Sequence, residues 1–284
     1  MNHAVRTFAF LALAAVAVAQ DATTLRRVVQ ANTADVYTIS SKSTQLIDFG
    51  MGEQDITVDN SMKLTMKYGA VDKDGNADVE MVLSDFQMKT GGSMGAMMGD
   101  MSQMMPKEFK VTGKLDPQNN LNNTKTQGLG MREMMMMGSQ MMGSMSGIIF
   151  PKNALKPGDT WQMPVPDQPM IGLKGASMTA TFVGAKNMDG TAVYEIKVGG
   201  KLPTKVNMAE MMKNAPEADQ GMMPADLVIT GTVDIKSTAW VEQGSGRLMK
   251  MDTTMKTAQK MDMGGQGMSG DIKGDVSMTM ALKK

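Results

Sequence analysis

Between Asp55 and Tyr68 the chain alternates almost without a break. Ile56, Val58, Met62, Leu64, Met66 and Tyr68 fall on one side, with Asn60 the only polar exception; Thr57, Asp59, Ser61, Lys63, Thr65 and Lys67 fall on the other. A period of two over so many residues defines a long strand with one apolar and one solvated face. The apolar face needs a cover, so the chain must form a large sheet around its own core. Asp72-Lys-Asp-Gly75 supplies a hairpin turn, since Gly75 tolerates the positive φ that such turns use. The return strand runs through Ala77, Val79, Met81 and Leu83, and Tyr37 to Ser43 and Gln45 to Phe49 read as earlier strands.

Beyond Gly91-Gly92 the period changes. Met94, Met97, Met98, Met101, Met104 and Met105 form one stripe of a helix ended by Pro106 and weakened by Gly95 and Gly99. Phe109 to Leu115 returns to strand, and Asp116-Pro-Gln-Asn-Asn120 makes a turn. The second half then repeats the first. Ser177 to Gly190 aligns with Ser61 to Gly75, each a strand closed by an Asp-Gly turn. A Met-containing helical stretch follows again (Met208, Met211, Met212), and Val111-Thr-Gly113 recurs as Ile229-Thr-Gly231. Four features in one order mark an internal duplication. Further strands carry Val233 to Val241, Met249 to Met255 and Ile272 to Leu282, with a turn at Gln243-Gly-Ser-Gly246 and a Gly/Met-rich loop expected over Met261 to Gly270.

The expected fold class is therefore mainly β with a few Met-rich helices (α+β). Two repeated antiparallel halves form a curved sheet or half-open barrel, with the helices covering the concave face. The expected organisation is a signal peptide over 1–19, a first β-rich half over 20–127, a Met-rich helix and linker over 128–158, and a second β-rich half over 159–284.

The N-terminus reads as an export signal: Arg6, an apolar run from Phe8 to Val18, and small residues at Ala17-Val18-Ala19. Cleavage near Ala19 places the mature chain in the periplasm or outside the cell. The apolar run is short for a bilayer span, so no transmembrane anchor is expected. Lysine and arginine balance aspartate and glutamate at 29 each, which gives no electrostatic reason to expect nucleic acid. Cysteine is absent and the single histidine, His3, lies in the signal. The mature chain thus lacks disulfides, Cys-His or Ser-His-Asp nucleophile systems, and imidazole or thiolate ligands for zinc. Its carboxylates show no singled-out pair. No enzyme activity and no cofactor are expected.

Methionine, at 37 residues, is the compositional extreme. Four readings stand side by side: core filler, a soft apolar surface for a lipid-like ligand or partner, a Cu(I)/Ag(I) site of thioethers, and an oxidant sink. The candidate apolar surface is Met94, Met97, Met98, Met101, Met134, Met135, Met141 and Met142. The candidate soft-metal set is Met134, Met137 and Met141.

The two halves join at Phe150-Pro-Lys-Asn-Ala-Leu-Lys-Pro-Gly-Asp-Thr-Trp161. Pro157-Gly158 makes a tight turn, Asp159 accepts hydrogen bonds from its backbone, and Trp161 starts a strand and packs inward. This Pro-Gly-Asp-x-Trp run resembles a segment of uncharacterised exported bacterial β-rich proteins and lipoproteins, where it opens a second, repeated half. The resemblance implies an envelope location and a β-rich fold, and brings no activity with it. This chain lacks the anchoring cysteine of the lipoprotein members. A curved sheet with helices in its mouth is also similar to the lipoprotein-carrier fold, which holds acyl chains. The functional expectation is an exported non-enzymatic protein that binds an apolar or lipid-like ligand or a partner through its Met-rich helices. A structural envelope or surface protein with no small ligand is the alternative.

Overall fold

Eleven antiparallel strands form one continuous sheet in the computed structural model. It describes residues 22–48, 50, 52–93, 95, 107–127, 147–167, 172–209, 227–264 and 268–283. The strands are β1 (Thr33–Asp48), β2 (Glu53–Val71), β3 (Ala77–Gly91), β4 (Glu108–Leu115), β5 (Leu121–Gln127), β6 (Thr160–Pro164), β7 (Ser177–Met188), β8 (Thr191–Asn207), β9 (Leu227–Glu242), β10 (Leu248–Met263) and β11 (Met268–Leu282). Their order is β5-β4-β3-β2-β1-β11-β10-β9-β8-β7-β6. The first long strand thus pairs with the last, Tyr37 opposite Leu282 through Asp48 opposite Asp271. Most sequence neighbours pair as hairpins, β1–β2, β2–β3, β4–β5, β7–β8, β9–β10 and β10–β11 through short turns and β3–β4 and β8–β9 through longer connections, while β5 and β6 form the two edges.

This architecture corrects the α+β expectation. Among the described residues no helix forms an element of the fold, so the class is all-β with a single sheet. The inner face is not covered by helices there. Its described cover consists of non-helical segments carrying Leu25, Ile148, Phe150, Leu155, Val165 and Leu173, all in the core cluster. Extended chain can do this because its polar main chain bonds to the hairpin turns: Arg27 N–H to Pro117 O, Val28 N–H to Ser245 O and Phe150 N–H to Gln118 O, each 2.8 Å. Two further expectations are revised. Tyr37–Ser43 and the described part of Gln45–Phe49, through Asp48, belong to one strand, β1, and the loop expected over Met261–Gly270 is largely strand, since β10 runs to Met263 and β11 starts at Met268.

Alternation builds the core as the sequence dictates. Tyr37 and Ile39 of β1, Met62 and Leu64 of β2, Val79 and Met81 of β3, Ile235 and Ala239 of β9, Met251 and Met255 of β10, and Val276 and Met278 of β11 all face inward and are buried. Asn60, the exception in the β2 pattern, keeps the inward register and is buried too. Pro203 is tolerated in β8 because the last β7 pair is Thr179 opposite Gly199; beyond it one side of β8 has no strand neighbour.

The sheet has two distinct ends. The turns at Asp72–Asn76, Asp116–Asn120, Asp189–Gly190 and Gln243–Arg247 lie at one, here called the lower end. At the upper end lie the β1–β2 and β10–β11 connections and the ends of β3 and β8.

Candidate functional site

The lower end is closed and rigidly tied. Lys156 to Asp159 form a turn, with Asp159 N–H bonded to Lys156 O at 3.0 Å and Gly158 at φ 94°, the positive φ that only glycine adopts easily. Asp159 accepts from the Lys156 N–H through Oδ2 at 2.7 Å. Gly158 N–H to Phe182 O and Phe182 N–H to Asp159 O dock the turn onto β7. Trp161 packs half-buried against the core and donates its indole N–H to Ile149 O at 2.8 Å. Asp159 is exposed and spends its carboxylate on the turn, so Pro157, Gly158, Asp159 and Trp161 together clamp the inter-half joint to the sheet.

Beside this joint lies a buried ionic cluster that sequence patterning does not single out. Arg27, from the covering segment, reaches Asp35 Oδ2 of β1 at 2.7 Å and the Tyr68 hydroxyl of β2 at 2.7 Å. The Tyr68 hydroxyl in turn donates to Asp35 Oδ2 at 2.8 Å, and Arg27 lies 5.2 Å from the Tyr68 ring centroid. Arg247 approaches the other Asp35 oxygen at 3.5 Å and Glu242 at 3.2 Å. Burial pushes the Tyr68 phenol well above its ordinary range against the pull of Arg27, and burial followed by Asp35 does the same to Tyr37. Both phenols therefore stay neutral, and Tyr68 serves as a hydrogen-bonding post between Arg27 and Asp35. All groups here are mutually satisfied except Arg247 Nε, so the cluster reads as a structural lock between covering segment and sheet.

The middle of the inner face is polar. Ser41 pairs with Asn60, and Ser43 with Val58. Along the same level across the sheet come Met278, Thr253, Ser237 and Val198. Ser41, Ser43, Asn60 and Thr253 are buried, and Ser237 and Thr253 share a hydrogen bond of 2.9 Å. The Ser41 hydroxyl is buried without a hydrogen-bond partner among the described residues. Below this belt the apolar core is filled: its two cavities measure 20 and 60 Å³, room for one and about four waters.

Above the belt the inner face turns apolar again: Leu202 and Val206 of β8, Met208 just beyond it and Leu227 of β9 are buried, and the face is less deeply buried toward β1, β2 and β11. Ile47 pairs with Ile272, and Met261 with Ile229. These four, with Ile56, Val58 and Met88, are half-buried, and none joins the core cluster. Of the strand ends that flank the Met-rich stretches 94–106, 128–146 and 210–226, Gly91, Asn207 and Leu227 lie at this upper end, whereas Gln127, in register through Lys110, Val82 and Thr65 with Val36, lies below the belt.

The candidate apolar surface (Met94, Met97, Met98, Met101, Met134, Met135, Met141, Met142) and the soft-metal set (Met134, Met137, Met141) lie outside the described residues. Among the described residues no cluster of three or more His, Cys, Asp or Glu is placed to hold a metal. The polar belt had a signal in the sequence: Asn60 breaks the β2 pattern, and Ser41 and Ser43 follow Tyr37 and Ile39 at the same parity. The Arg27–Asp35–Tyr68 cluster had none, because its members come from three separate segments.

No family model matches the chain, and no curated protein matches it. Among solved structures, a DUF1329 family protein from Desulfovibrio piger is 8% identical over 84% of this chain and 83% of that one, with a TM-score of 0.16. A domain attributed to an outer membrane lipoprotein-sorting protein from Vibrio parahaemolyticus is 7% identical over 87% and 86%, with a TM-score of 0.20. At such TM-scores neither likeness carries an argument about fold or activity. The class rests on the chain's own geometry: an eleven-stranded antiparallel sheet whose inner face carries one core cluster below and around the polar belt, with half-buried aliphatic side chains farther up.

Proposed function

We propose that the chain is an exported, non-enzymatic binding protein that holds an apolar or lipid-like ligand against the upper half of its inner face. The observation that carries this reading is the division of that face. Below the Ser41 belt the core is filled, whereas Ile47, Ile56, Val58, Met88, Ile229, Met261 and Ile272 stand half-buried outside it. Half-buried aliphatic side chains on one sheet face offer a ligand roughly 25 cal/mol per Å² of apolar area covered. The buried Ser41 hydroxyl gives a polar end group a partner at the floor of the site. The strand ends at Gly91, Asn207 and Leu227, beside the Met-rich stretches 94–106 and 210–226, lie at the same rim, which favours the Met-rich surface as part of the binding region. Export is supported by the Arg6, Phe8–Val18 and Ala17-Val18-Ala19 pattern, and the absence of cysteine, and of histidine beyond His3, supports a binding role.

The reading includes an internal duplication. It is supported by the sheet order, in which β5-β4-β3-β2-β1 and β10-β9-β8-β7-β6 run in the same sense. The two Thr-Gly motifs do not take equivalent places: Gly113 of β4 pairs with Val79 near the lower end, and Gly231 of β9 pairs with Thr204 near the upper end.

Native mass spectrometry of protein from its own source, followed by titration with isotope-labelled palmitate, tests the reading. A co-purifying lipid or palmitate adduct that is lost in Ile56→Asp/Ile272→Asp supports it. A clean apo mass with no palmitate uptake sinks it and leaves the structural reading, which the small lower cavities favour.

A further inference from the structure

A large cavity, about 1090 Å³, lies on the opposite, polar face. It is drawn out along one level of the sheet, reaching from β3 through β2, β1, β11, β10, β9 and β8 to β7. Two adjacent rows of outward side chains build it. One runs Ser40–Thr279–Asp252–Thr238–Lys197, each residue the register partner of the next. The other runs Lys42–Ser277–Thr254–Lys236–Gly199 in the same way and continues to Asp59 and Lys89 on β2 and β3. Eight strands at roughly 4.8 Å spacing make a trough about 34 Å long.

The charge in this trough departs from that of the chain. The chain as a whole is balanced, with a net charge of 0. In the trough four lysines (Lys42, Lys89, Lys197, Lys236), all exposed, face two aspartates. One of those, Asp252, is already engaged by Lys250 at 2.7 Å and by the Thr279 hydroxyl at 2.8 Å. Lys42, Lys89 and Lys236 form no ion pair among the described residues. Between the cations stand hydroxyls, and no aromatic side chain lines the trough among the described residues.

We propose that this trough docks a linear acidic polysaccharide lying across the strands. Length and sign call for an extended polyanion. Spacing selects its chemistry. Lys89 and Lys42 stand two strands apart, and Lys42 and Lys236 three, so cations recur at about 10–14 Å with hydroxyls between them. An extended acidic peptide presents same-side carboxylates every two residues, about 7 Å, and would set every second one against a hydroxyl instead of a lysine. A sugar chain carries hydroxyls on every unit. In one that winds with three units per turn, as polygalacturonate does, same-side carboxylates recur only every third unit, a wider spacing than in an extended peptide, with hydroxyls between that match the serines and threonines of the trough. The site is independent of the apolar inner face, because its side chains point the other way.

Calorimetric titration of the full chain with polygalacturonate tests this, with poly-glutamate and neutral dextran as comparators. Polygalacturonate binds at low salt and weakens steeply as salt rises, and dextran does not bind. Lys42→Glu/Lys236→Glu weakens binding about tenfold or more, while Lys125→Glu/Lys186→Glu, the same charge change at exposed positions elsewhere, leaves it unchanged. Lys42→Gln/Lys236→Gln, which adds no repulsion, reads the same loss in a smaller step should the reversal variant unfold. Absence of polygalacturonate binding at low salt, equal loss in the control variant, or poly-glutamate binding as tightly as polygalacturonate each overturns the proposal.

Discussion

Replacing Asp35 by alanine tests the lock at the lower end most directly. The substitution removes the carboxylate that faces Arg27 at 2.7 Å and the Tyr68 hydroxyl at 2.8 Å. Arg27, 6% exposed, then keeps only the Tyr68 hydroxyl and the main-chain oxygens of Val28 and Ser245 at 3.4 Å. Breaking a buried pair from one side leaves an uncompensated buried charge, at about 3–5 kcal/mol. The contact with Arg247 adds little, because that side chain is 34% exposed and screened. For a chain of this size the loss lowers Tm by about 6–20 °C. Urea and thermal unfolding measure it. Arg27→Met/Asp35→Leu/Tyr68→Phe removes the whole network at once and recovers most of the stability, because no orphaned charge or hydroxyl remains. An Asp35→Ala loss below about 1 kcal/mol, or a triple variant no more stable than Asp35→Ala, refutes the reasoning.

The phenols of Tyr37 and Tyr68 make the fold sensitive to alkali. Their folded values lie above the unfolded value of about 10, so the stability they confer is complete below that pH and is lost as pH rises through and beyond it. In an absorbance titration two of the three tyrosines ionise only with unfolding, and Tyr68→Phe reduces this to one; ionisation of all three ahead of unfolding contradicts the burial argument. Asp55 acts at the acid side. Ser93 donates to it from main chain and hydroxyl at 2.9 Å each and holds its carboxyl below the usual range. The stability it confers is present above about pH 4 and lost as pH falls through the lowered folded value, so Asp55→Asn flattens the acid limb of the urea midpoint. Gly246 has φ 63°, and a Cβ there would sit 2.3 Å from the Arg26 carbonyl. Gly246→Ala is expected to cost about 2 kcal/mol or more in urea unfolding, whereas Gly190→Ala, at φ 83° in open space, costs about 1.

Much of the upper binding face was readable before folding and part was not. Ile56 and Val58 belong to the alternating run, so their side of β2 followed from parity alone. That Ile47 meets Ile272, or Met261 meets Ile229, depended on register between strands far apart in sequence. The methionine stripe at Met94 to Met105 has a period of 3.6, but periodicity describes one segment and does not say what covers a sheet. The described cover came instead from segments such as Ala22–Gln30 and Gly147–Pro151, which have little periodicity and are held by main-chain bonds to turns.

By itself the sequence determined the strands, their buried sides and their turns, because alternation and Asp-Gly or Pro-Gly chemistry act within a few residues. Tertiary structure alone decided that β1 closes against β11, that Arg27, Asp35 and Tyr68 meet, and that lysines from four strands share one trough. These are contacts between residues distant along the chain. They are set by which strand lies beside which and in what register, and no local pattern encodes that choice.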